Sequence, residues 1–483
     1  MTKKNKKKSK GLNVFFNIIA FILIILSVVT AGVIVYFEIL PFLYLVLCLL
    51  ILAFLAFLFV YLLRKNNLRL WVKNIILIIS LLYSFVLIFI NAYAMGTLDF
   101  LNNIIDTGYR SETYELYVLN DSYKNVKELE GKTIGLYNLK DEYGKKAIDK
   151  ISSKISFNAS EYEDLQAIID DLLNKKIDAI LMSKSYMDIM IEQNGEYNNL
   201  VSLYSFDILV KEKIIESNID VTKESFVFYI SGIDTSGKIG TKSRSDVNIL
   251  VAVNPKTGKI LMLNTPRDYY VTLNSFGKKD KLTHAGLYGV EESLKTLEDL
   301  YGVDISYYAR VNFTSFVTIV NELGGIKVNV PVNFCEQTSN RKSDKKICLK
   351  KGMQTLDGEE ALALSRTRHT ISGGDRGRIE NQLLVLNGII DKALSPSIIV
   401  KYNSLLKNLS SYVTTNMDKD SLIKFIKEQI KDPKEFNIEH MTVTGSDSSN
   451  TTYSTGSVKV YVMEIDEESV NSAKLALKSV LEG

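Results

Sequence analysis

The 483-residue chain contains few of the side chains on which metal and nucleophile chemistry usually depends, with three cysteines and three histidines. It has no Cys-x-x-Cys pair and no Cys/His spacing typical of a zinc site. It also lacks the Gly-x-x-x-x-Gly-Lys-Ser/Thr phosphate loop, the protein-kinase motifs and the Gly-x-Ser-x-Gly nucleophile turn. These absences argue against a zinc module, a P-loop nucleotidase, a kinase and a serine hydrolase of the α/β type.

Arginine is scarce as well, because the chain has 47 lysines but only 11 arginines. Four of the arginines lie in the short run from Ser365 to Arg378, and two others are Arg244 and Arg267. The guanidinium group is planar, permanently charged and suited to bidentate contacts with phosphate or carboxylate. The concentration of six arginines in three short motifs therefore predicts an anion-binding site.

Long apolar runs lie within the first hundred residues, at roughly 14–36, 39–63 and 72–95. Each run is long enough to cross a hydrocarbon core of about 30 Å, and a cleaved signal peptide is disfavoured because its apolar region would be shorter. The basic tail at 1–13 and the cations between the second and third runs predict a cytoplasmic amino terminus. We therefore expect a multi-pass membrane protein with three spans within residues 14–95 and an extracellular remainder.

The predicted extracellular part is slightly acidic. Residues 1–99 carry 10 basic and 2 acidic side chains, which leaves 48 basic and 53 acidic side chains in the rest of the chain. This balance gives no support to a generally basic nucleic-acid-binding surface, so nucleic acid is not an expected partner. The arginine motifs are local features of a mildly acidic protein.

The pattern of short apolar segments predicts two α/β domains after the membrane. We assign 96–110 to a connector and 111–215 to an accessory α/β domain, with strands near 114–119, 133–137 and 178–182 and a helix over 162–175. Residues 224–483 form a second domain in which strands and helices alternate, followed by a helical C-terminal extension after residue 405 with one possible strand near 458–462. This spacing predicts a layered α/β/α domain with a mixed central sheet.

Two aspartates at predicted strand ends are candidate metal ligands. Asp234 follows one strand in Gly232-Ile233-Asp234, and Asp246 lies just before the next. Carboxylates at one edge of a sheet suit Mg²⁺ or Mn²⁺, with water and substrate phosphate in the other positions. Taken alone, each also fits a turn or capping aspartate. The motif Thr265-Pro266-Arg267-Asp268 ends the following strand with a rigid turn and is expected at the same edge.

The last arginine motif predicts further contacts with an anion. Arg366 and Arg368 are two residues apart, so an extended backbone would direct both to one face. Arg378 and Gln382 are four residues apart at the start of a long predicted helix, where its dipole favours anions. The alternative is a solvated charged loop with a surface salt bridge from an arginine to Asp375 or Glu380.

Taken in order, these motifs resemble the LytR-CpsA-Psr family of cell-wall polymer phosphotransferases, over roughly residues 226–393. The three spans and the preceding α/β domain are similar to the capsule-associated subgroup with an accessory domain. The residues that carry the resemblance are Gly232-Ile233-Asp234, Arg244-Ser245-Asp246, Thr265-Pro266-Arg267-Asp268, Leu282-Thr283-His284-Ala285, Gly324-Gly325-Ile326, Gly358-Glu359-Glu360-Ala361-Leu362-Ala363, Arg366, Arg368, Asp375, Arg378 and Gln382.

The resemblance implies a Mg²⁺-dependent enzyme that moves a glycopolymer, capsular polysaccharide or teichoic-acid-like, from an undecaprenyl-diphosphate carrier to peptidoglycan. A peptidoglycan hydroxyl would attack the sugar-proximal phosphorus, and Asp234 or Asp268 would orient or deprotonate it. Asp234 and Asp246 would hold the metal. The implied partners are the lipid-linked polymer, peptidoglycan, membrane lipid and capsule-assembly proteins. The implied diphosphate ligands are Arg244, Arg267, Arg366, Arg368, Arg378 and Gln382.

Two other functions would use the same residues. In a lipid-diphosphate phosphatase, water replaces the sugar hydroxyl; in a non-enzymatic regulator of capsule assembly, the arginines only bind the lipid diphosphate. His284 is either a substrate contact or a structural histidine held by hydrogen bonds. Cys335 and Cys348 either form a disulfide in the oxidising exterior or remain free thiols.

Overall fold

The computed structural model describes residues 3–37, 40–65, 68–120, 122–193, 197, 199–233, 240–338, 346–367, 375–393, 395, 402–410 and 412–483. Its helices are α1 (Lys3–Phe37), α2 (Phe42–Arg64), α3 (Leu70–Ile104), α4 (Glu142–Ser152), α5 (Leu165–Leu173), α6 (Lys184–Gln193), α7 (Leu282–Ala285), α8 (Val290–Tyr301), α9 (Phe313–Leu323), α10 (Gly358–Arg366), α11 (Asp375–Ala393), α12 (Tyr402–Leu409), α13 (Lys419–Lys431) and α14 (Glu467–Glu482).

The strands are β1 (Tyr109–Leu119), β2 (Thr133–Tyr137), β3 (Asn158–Tyr162), β4 (Ala179–Ser183), β5 (Leu200–Lys211), β6 (Phe226–Ile233), β7 (Ser245–Asn254), β8 (Lys259–Asn264), β9 (Tyr270–Thr272), β10 (Lys279–Lys281), β11 (Tyr307–Asn312), β12 (Ile326–Val330), β13 (Phe334–Gln337), β14 (Lys346–Leu349), β15 (Gly352–Leu356), β16 (Val413–Thr415), β17 (Asn437–Thr442), β18 (Gly445–Thr451) and β19 (Lys459–Ile465).

The chain forms two compact units. The first comprises Met1–Asn102, Ile399–Lys407 and Asp418–Glu435, and the second comprises Asn103–Ile398, Asn408–Met417 and Phe436–Gly483.

The first unit confirms the three predicted apolar helices. Three segments are long and apolar enough to cross a membrane: Val14–Phe37, Phe42–Arg64 and Trp71–Ile104. The predicted connector at 96–110 is corrected, because α3 runs on to Ile104 and β1 already begins at Tyr109. A single glycine at position 96 does not end the helix, and the Thr97 hydroxyl donates a hydrogen bond to the carbonyl of Tyr93 at 2.9 Å, one turn earlier.

The accessory domain is a five-stranded sheet in the order β3-β2-β4-β1-β5. Its parallel strands β3, β2 and β4 are joined by helices, and β1 runs antiparallel to both β4 and β5. Helix α4 packs on one face of the sheet, and α5 and α6 pack on the other. The predicted helix over 162–175 is shorter than expected, because Tyr162 still belongs to β3 and the Asp164 side chain caps α5 by accepting from the Ala167 amide.

The larger domain is built on a six-stranded sheet in the order β16-β11-β6-β7-β8-β17. The pairs β6–β11 and β8–β17 are parallel and the other three are antiparallel, so the prediction of a mixed sheet is confirmed. Apolar residues of α8 and α14 cover one face and form a core with Tyr229, Leu250 and Leu263. On the opposite face, Phe228, Ile230 and Val251 are only partly buried, whereas Ile249 and Tyr307 are buried.

The C-terminal part is not the mainly helical extension predicted after residue 405, although the strand predicted near 458–462 is present as β19. It contributes four strands, and two of them, β16 and β17, are the edges of the central sheet. These edge strands are short or polar, so local periodicity does not reveal them, and pairing with a distant strand stabilises them. Most of α12 and all of α13 belong to the first unit, where the Lys419 ammonium lies 5.2 Å from the centre of the Tyr36 ring.

A disulfide links the hairpin formed by β13 and β14. Cys335 lies directly opposite Cys348 in the strand register, and the two sulfur atoms are bonded at 2.05 Å.

Candidate functional site

The predicted site motifs meet at one edge of the central sheet. Strand β6 ends there, antiparallel β7 begins there, and β8 ends near it, because Thr265 donates its amide to the carbonyl of Asn248 at 2.9 Å. The order of strands thus brings Asp246, at the start of β7, together with Arg267, which follows β8. Arg244 directly precedes β7. Asp234, the next residue in sequence after β6, lies outside the described residues.

A β-bulge sets the position of Asp246. Ile233 pairs with Ser245 whereas Gly232 pairs with Val247, so Asp246 is the extra residue on β7. A bulge re-aims a side chain and increases the local twist of the strand. Asp246 is therefore partly exposed at the sheet edge, at 16% for its side chain, although both of its neighbours pair within the sheet.

Arg267 joins two carboxylates at this edge. Its Nη1 donates to Oδ1 of Asp246 at 2.7 Å, and its Nε lies 3.4 Å from Oδ2 of Asp268. The other oxygen of Asp268 accepts from Lys281 Nζ at 2.8 Å. Arg267, Asp268 and Lys281 are all nearly buried, so these charge-assisted contacts hold the guanidinium in one orientation. The pairing of both Asp268 oxygens with cations favours a positioning role for that carboxylate.

Thr283 stabilises the contact between Arg267 and Asp246. The Thr283 amide donates to the Arg267 carbonyl at 2.8 Å, and the Thr283 hydroxyl donates to Asp246 Oδ1 at 3.2 Å. One threonine therefore contacts both members of the Arg267–Asp246 pair. This fixes their separation better than two flexible side chains alone would.

A buried polar network lies beneath Arg244. Ser245 Oγ is 2.8 Å from Ser231 Oγ and 3.1 Å from the Tyr229 hydroxyl, which in turn donates to Asn248 at 2.7 Å. Each member of the network has a hydrogen-bond partner, so it gives the start of β7 a single conformation. The neighbouring Arg244 is itself only 8% exposed.

Gly286 allows a second element to approach the same backbone. A Cβ atom at this position would lie 2.5 Å from the Ser243 carbonyl oxygen and 2.9 Å from the Ser245 amide nitrogen. No side chain fits in that space. The turn after α7 therefore supports the backbone that carries Arg244.

His284 is buried and structural in its contacts. Its Nδ1 lies 2.6 Å from Asp280 Oδ1, while the other oxygen of Asp280 accepts from the amide and the hydroxyl of Ser454 at 2.8 and 2.5 Å. Burial alone would raise the pKa of Asp280, but the His284 ring and the Ser454 hydrogen bonds outweigh it, and the pKa is lowered. The carboxylate therefore stays ionised and holds His284 in place.

The second arginine group is described in part. Arg366 is the last residue of α10, which corrects the extended backbone expected at this position. The capping box of Asp357 and Glu360 starts this helix, and an Ala/Leu-rich segment carries it through to residue 366. Gln382 of α11 donates its Nε2 to the Ser365 carbonyl at 3.4 Å, which places it beside the end of α10.

Helix α11 begins at Asp375, three residues before the predicted start, so Arg378 lies within its first turn. Arg368 lies outside the described residues, as do the side chains of Asp375 and Arg378. Their predicted contacts with an anion therefore stay predictions.

The described residues fit a divalent cation only in part. They contain no group of three or more His, Cys, Asp or Glu side chains able to hold a metal. Mg²⁺, however, is usually bound through one or two carboxylates, waters and substrate phosphate rather than by a complete protein cage. The Asp246 carboxylate has the right chemistry, and the other predicted ligand, Asp234, lies outside the described residues.

Comparison with known proteins decides the family. The family model described as "LytR_cpsA_psr family" matches residues 189–479, more than half of the chain. This chain belongs to that family. The match begins inside α6 of the accessory domain, before the boundary predicted at residue 224.

Two characterised members of the LytR_cpsA_psr family illustrate the similarity. The chain is 35% identical over 269 residues to the polyisoprenyl-teichoic acid–peptidoglycan teichoic acid transferase TagT of Bacillus subtilis, covering 54% of this chain and 79% of TagT. It is 37% identical over 210 residues to the corresponding transferase TagV of the same organism, covering 43% of this chain and 54% of TagV. A crystal structure of B. subtilis TagV aligns with a TM-score of 0.44 at 33% identity, over 54% of this chain and 98% of that chain.

Two charged residues of the site, Lys281 and Arg310, were not predicted from the sequence. Lys281 directly precedes the Leu282-Thr283-His284-Ala285 motif. The adjacent charged residues Asp280 and Lys281 are the sequence pattern that could have indicated it. Arg310 of β11 is fully buried and donates Nη2 to the Thr241 carbonyl at 3.1 Å, in the loop that leads to Arg244. The scarcity of arginine in the chain could have indicated Arg310, but this residue lies within a strand and away from the three arginine motifs.

A buried ion-pair cluster joins the accessory domain to this loop. Arg110, at 1% exposure, contacts Asp106 at 2.8 Å and Glu291 at 3.2 Å, and Lys242 contacts Glu212 at 2.9 Å. Burial would lower the pKa of Arg110, but Asp106 outweighs it and raises the pKa. Backbone hydrogen bonds between β1 and residues 240–242 complete the junction. The accessory domain therefore supports the loop that carries Arg244.

Proposed function

We propose that this protein is a membrane-anchored transferase that moves a cell-wall glycopolymer from a polyprenyl-diphosphate carrier to peptidoglycan outside the cell. The observation that carries the proposal is the buried Arg267, held between Asp246 and Asp268 at the sheet edge that also carries Arg244. Family membership and the printed activity of TagT and TagV supply the reaction class.

The site suits a diphosphate. Phosphoryl transfer depends mainly on positioning and on stabilising negative charge, for which fixed guanidinium groups are well suited. Arg244 and Arg267 lie at the edge of the central sheet. Arg366 is the last residue of α10, and Gln382 lies in α11. We propose that all four contact the diphosphate, together with Arg368 and Arg378.

The opposite face of the central sheet suits the lipid. Phe228 and Val251 pair across β6 and β7, and both are only partly buried, as is Ile230 on the same face. Partly covered apolar side chains on an α/β domain favour a long hydrocarbon chain, whose burial contributes about 0.8 kcal/mol per CH₂. We propose that the polyprenyl chain, specifically an undecaprenyl chain, packs against this face.

The reaction is a single displacement at phosphorus. The oxygen of a peptidoglycan hydroxyl forms a bond to the sugar-proximal phosphorus, and the bond from that phosphorus to the bridging oxygen breaks. The electron pair leaves with polyprenyl phosphate, and the proton of the hydroxyl passes to a base, for which Asp234 is our candidate because Asp268 is held by two cations. Asp246 and Asp234 would hold Mg²⁺, which would neutralise charge on the diphosphate.

Reconstitution tests the proposal. The full-length protein in nanodiscs would receive a radiolabelled polyprenyl-diphosphate glycopolymer, either capsular or teichoic-acid-like, with peptidoglycan and Mg²⁺. We expect radiolabel in peptidoglycan and release of polyprenyl phosphate. Arg267→Ala should reduce the rate by about 100-fold or more, as for loss of one transition-state donor. Arg267→Lys, which keeps the charge but loses the planar fork, should recover only part of the rate.

The outcomes separate three functions. Free polymer phosphate without any conjugate to peptidoglycan would show a lipid-diphosphate phosphatase. Polymer attachment in cells that is unchanged by Arg267→Ala, with the protein folded, would show that this site is not catalytic. In that case the remaining function would be a non-enzymatic regulator of capsule assembly.

A further inference from the structure

The accessory domain and the larger domain together line a cavity of about 550 Å³, separate from the arginine site. From the accessory domain it is lined by residues that follow β2 and β3 and by Tyr186 of α6. From the larger domain it is lined by Tyr288, Tyr453 and Ser454. Neither the family relationship nor the proposed reaction assigns it a role.

The topology of the accessory sheet explains why a cavity forms here. The connection after β2 passes through α4 on one face toward β3, whereas the connection after β4 passes through α6 on the other face toward β5. Neighbouring strands β2 and β4 therefore send their chains to opposite sides. A crevice opens outside the carboxyl ends of such strands, and α/β proteins bind ligands at this switch point.

The lining has the chemistry of a saccharide site. Tyr453 of the lining is 43% exposed, and its ring is stacked on that of the neighbouring Phe276, which does not line the cavity, with centroids 4.8 Å apart. Tyr288 lies beside them, 4.6 Å from Phe276. Flat aromatic faces of this kind pack against the apolar faces of pyranose rings. Asn138 and the charged residues at the rim supply hydrogen-bond donors and acceptors for hydroxyl groups.

The charges of the lining argue against an anion. Lys140 and Lys145 are balanced by Glu161 and Glu163, and Lys140 forms an ion pair with Glu163 at 2.6 Å. A phosphate or polyanion site would show an excess of cations. The balance instead favours an uncharged ligand rich in hydroxyl groups.

A continuous chain of contacts links the cavity to the arginine site. The Tyr288 hydroxyl is 2.9 Å from Ser454 Oγ, which donates to Asp280, and the next residue, Lys281, contacts Asp268. Between them, Gly286 packs against the backbone on either side of Arg244. The segment 280–288 therefore contacts both the cavity and the predicted diphosphate ligands.

We propose that this cavity binds a pyranose saccharide and holds a glycan next to the arginine site. The proposal rests on the proposed function in one respect, because the glycan would be either the peptidoglycan acceptor or the donor glycopolymer. Both sources present the same hydroxyl-rich rings, and the experiment distinguishes them.

Calorimetric titration of the full-length protein in nanodiscs tests the proposal. One arm uses a tetrasaccharide of alternating N-acetylglucosamine and N-acetylmuramic acid, and the other uses the repeating unit of the glycopolymer released from its carrier by mild acid. We expect one of them to bind. Tyr453→Ala should weaken binding about five- to tenfold, the value of one aromatic contact. Phe276→Ala removes the ring stacked on Tyr453 and should weaken binding by a smaller factor. Tyr453→Phe, which keeps the ring, and Leu475→Ala, an exposed residue outside the cavity, should remain within about twofold.

Absence of binding in both arms would overturn the proposal, as would wild-type affinity in folded Tyr453→Ala and Phe276→Ala variants. The same titration with Arg267→Ala separates this proposal from the proposed function. A protein that transfers polymer but binds neither saccharide overturns the cavity proposal alone. A protein that binds a saccharide at the cavity but transfers nothing supports the cavity proposal and overturns the proposed transfer.

Discussion

Gly286→Ala offers a direct test of how the site is supported. The added Cβ would lie 2.5 Å from the Ser243 carbonyl oxygen, and Cβ atoms essentially never approach closer than 3.0 Å. Either the Arg244 backbone or the turn after α7 must therefore move by at least 0.5 Å. The polar network under Ser245 is fully hydrogen-bonded and α7 is bonded to the Arg267 loop, so little room exists for relaxation elsewhere.

A shift of this size should affect catalysis more than folding. A misplacement of about 1 Å costs on the order of 100-fold in rate, so a shift of about half that should reduce transfer by about tenfold or more. Overpacking of this kind costs about 1–3 kcal/mol of stability. Reconstituted transfer and thermal unfolding would be measured together for the wild type and the variant.

Gly302→Ala is the matched control. Gly302 has a φ of +67°, and a Cβ atom added there would have no neighbouring atom within 4 Å. Alanine at this position therefore strains the backbone by about 1 kcal/mol without touching the site. We expect Gly302→Ala to lose stability but keep its rate of transfer. A Gly286→Ala variant with wild-type kinetics would refute the reasoning, because it would show that the turn yields and that Arg244 does not depend on it.

Three further predictions concern ionisable side chains. Asp246→Asn should lower the transfer rate and weaken the proposed binding of Mg²⁺, seen as a higher half-saturating Mg²⁺ concentration; an unchanged value would remove Asp246 from the proposed metal site. Arg110→Met should destabilise the protein by about 3 kcal/mol or more, because it leaves Asp106 buried without its partner, and thermal unfolding would measure this. Burial raises the pKa of Glu112 from 4.5 to about 7, so its folded form holds a proton that the unfolded chain has released. Its contribution to stability is complete below about pH 4.5 and is lost as the pH rises through 7, by about 3 kcal/mol. Relative to wild type, Glu112→Gln should therefore be more stable at pH 8 than at pH 5, and a pH-independent difference would contradict the shift.

Local sequence patterns predicted much of the fold. Strand β2 lies at the residues predicted for it and β4 is shifted by one residue, because alternating periodicity and flanking turn residues are local properties. The helix α9 ends at Gly324, whose φ of +81° is the left-handed conformation that favours glycine. The arginine motifs predict an anion site, and this stays a prediction.

The sequence by itself determined the three apolar helices, the alternation of strands and helices and the presence of closely spaced cations and carboxylates. Only the tertiary structure decided that β16 and β17 complete the central sheet, that a bulge exposes Asp246, and that Lys281 and Thr283 hold Arg267 and Asp246 in place. The cavity shared by the two domains also arises only in the folded chain. The physical reason is the same in each case, because these features depend on contacts between residues far apart in sequence. Such contacts produce no periodic pattern in the sequence of the segments that make them.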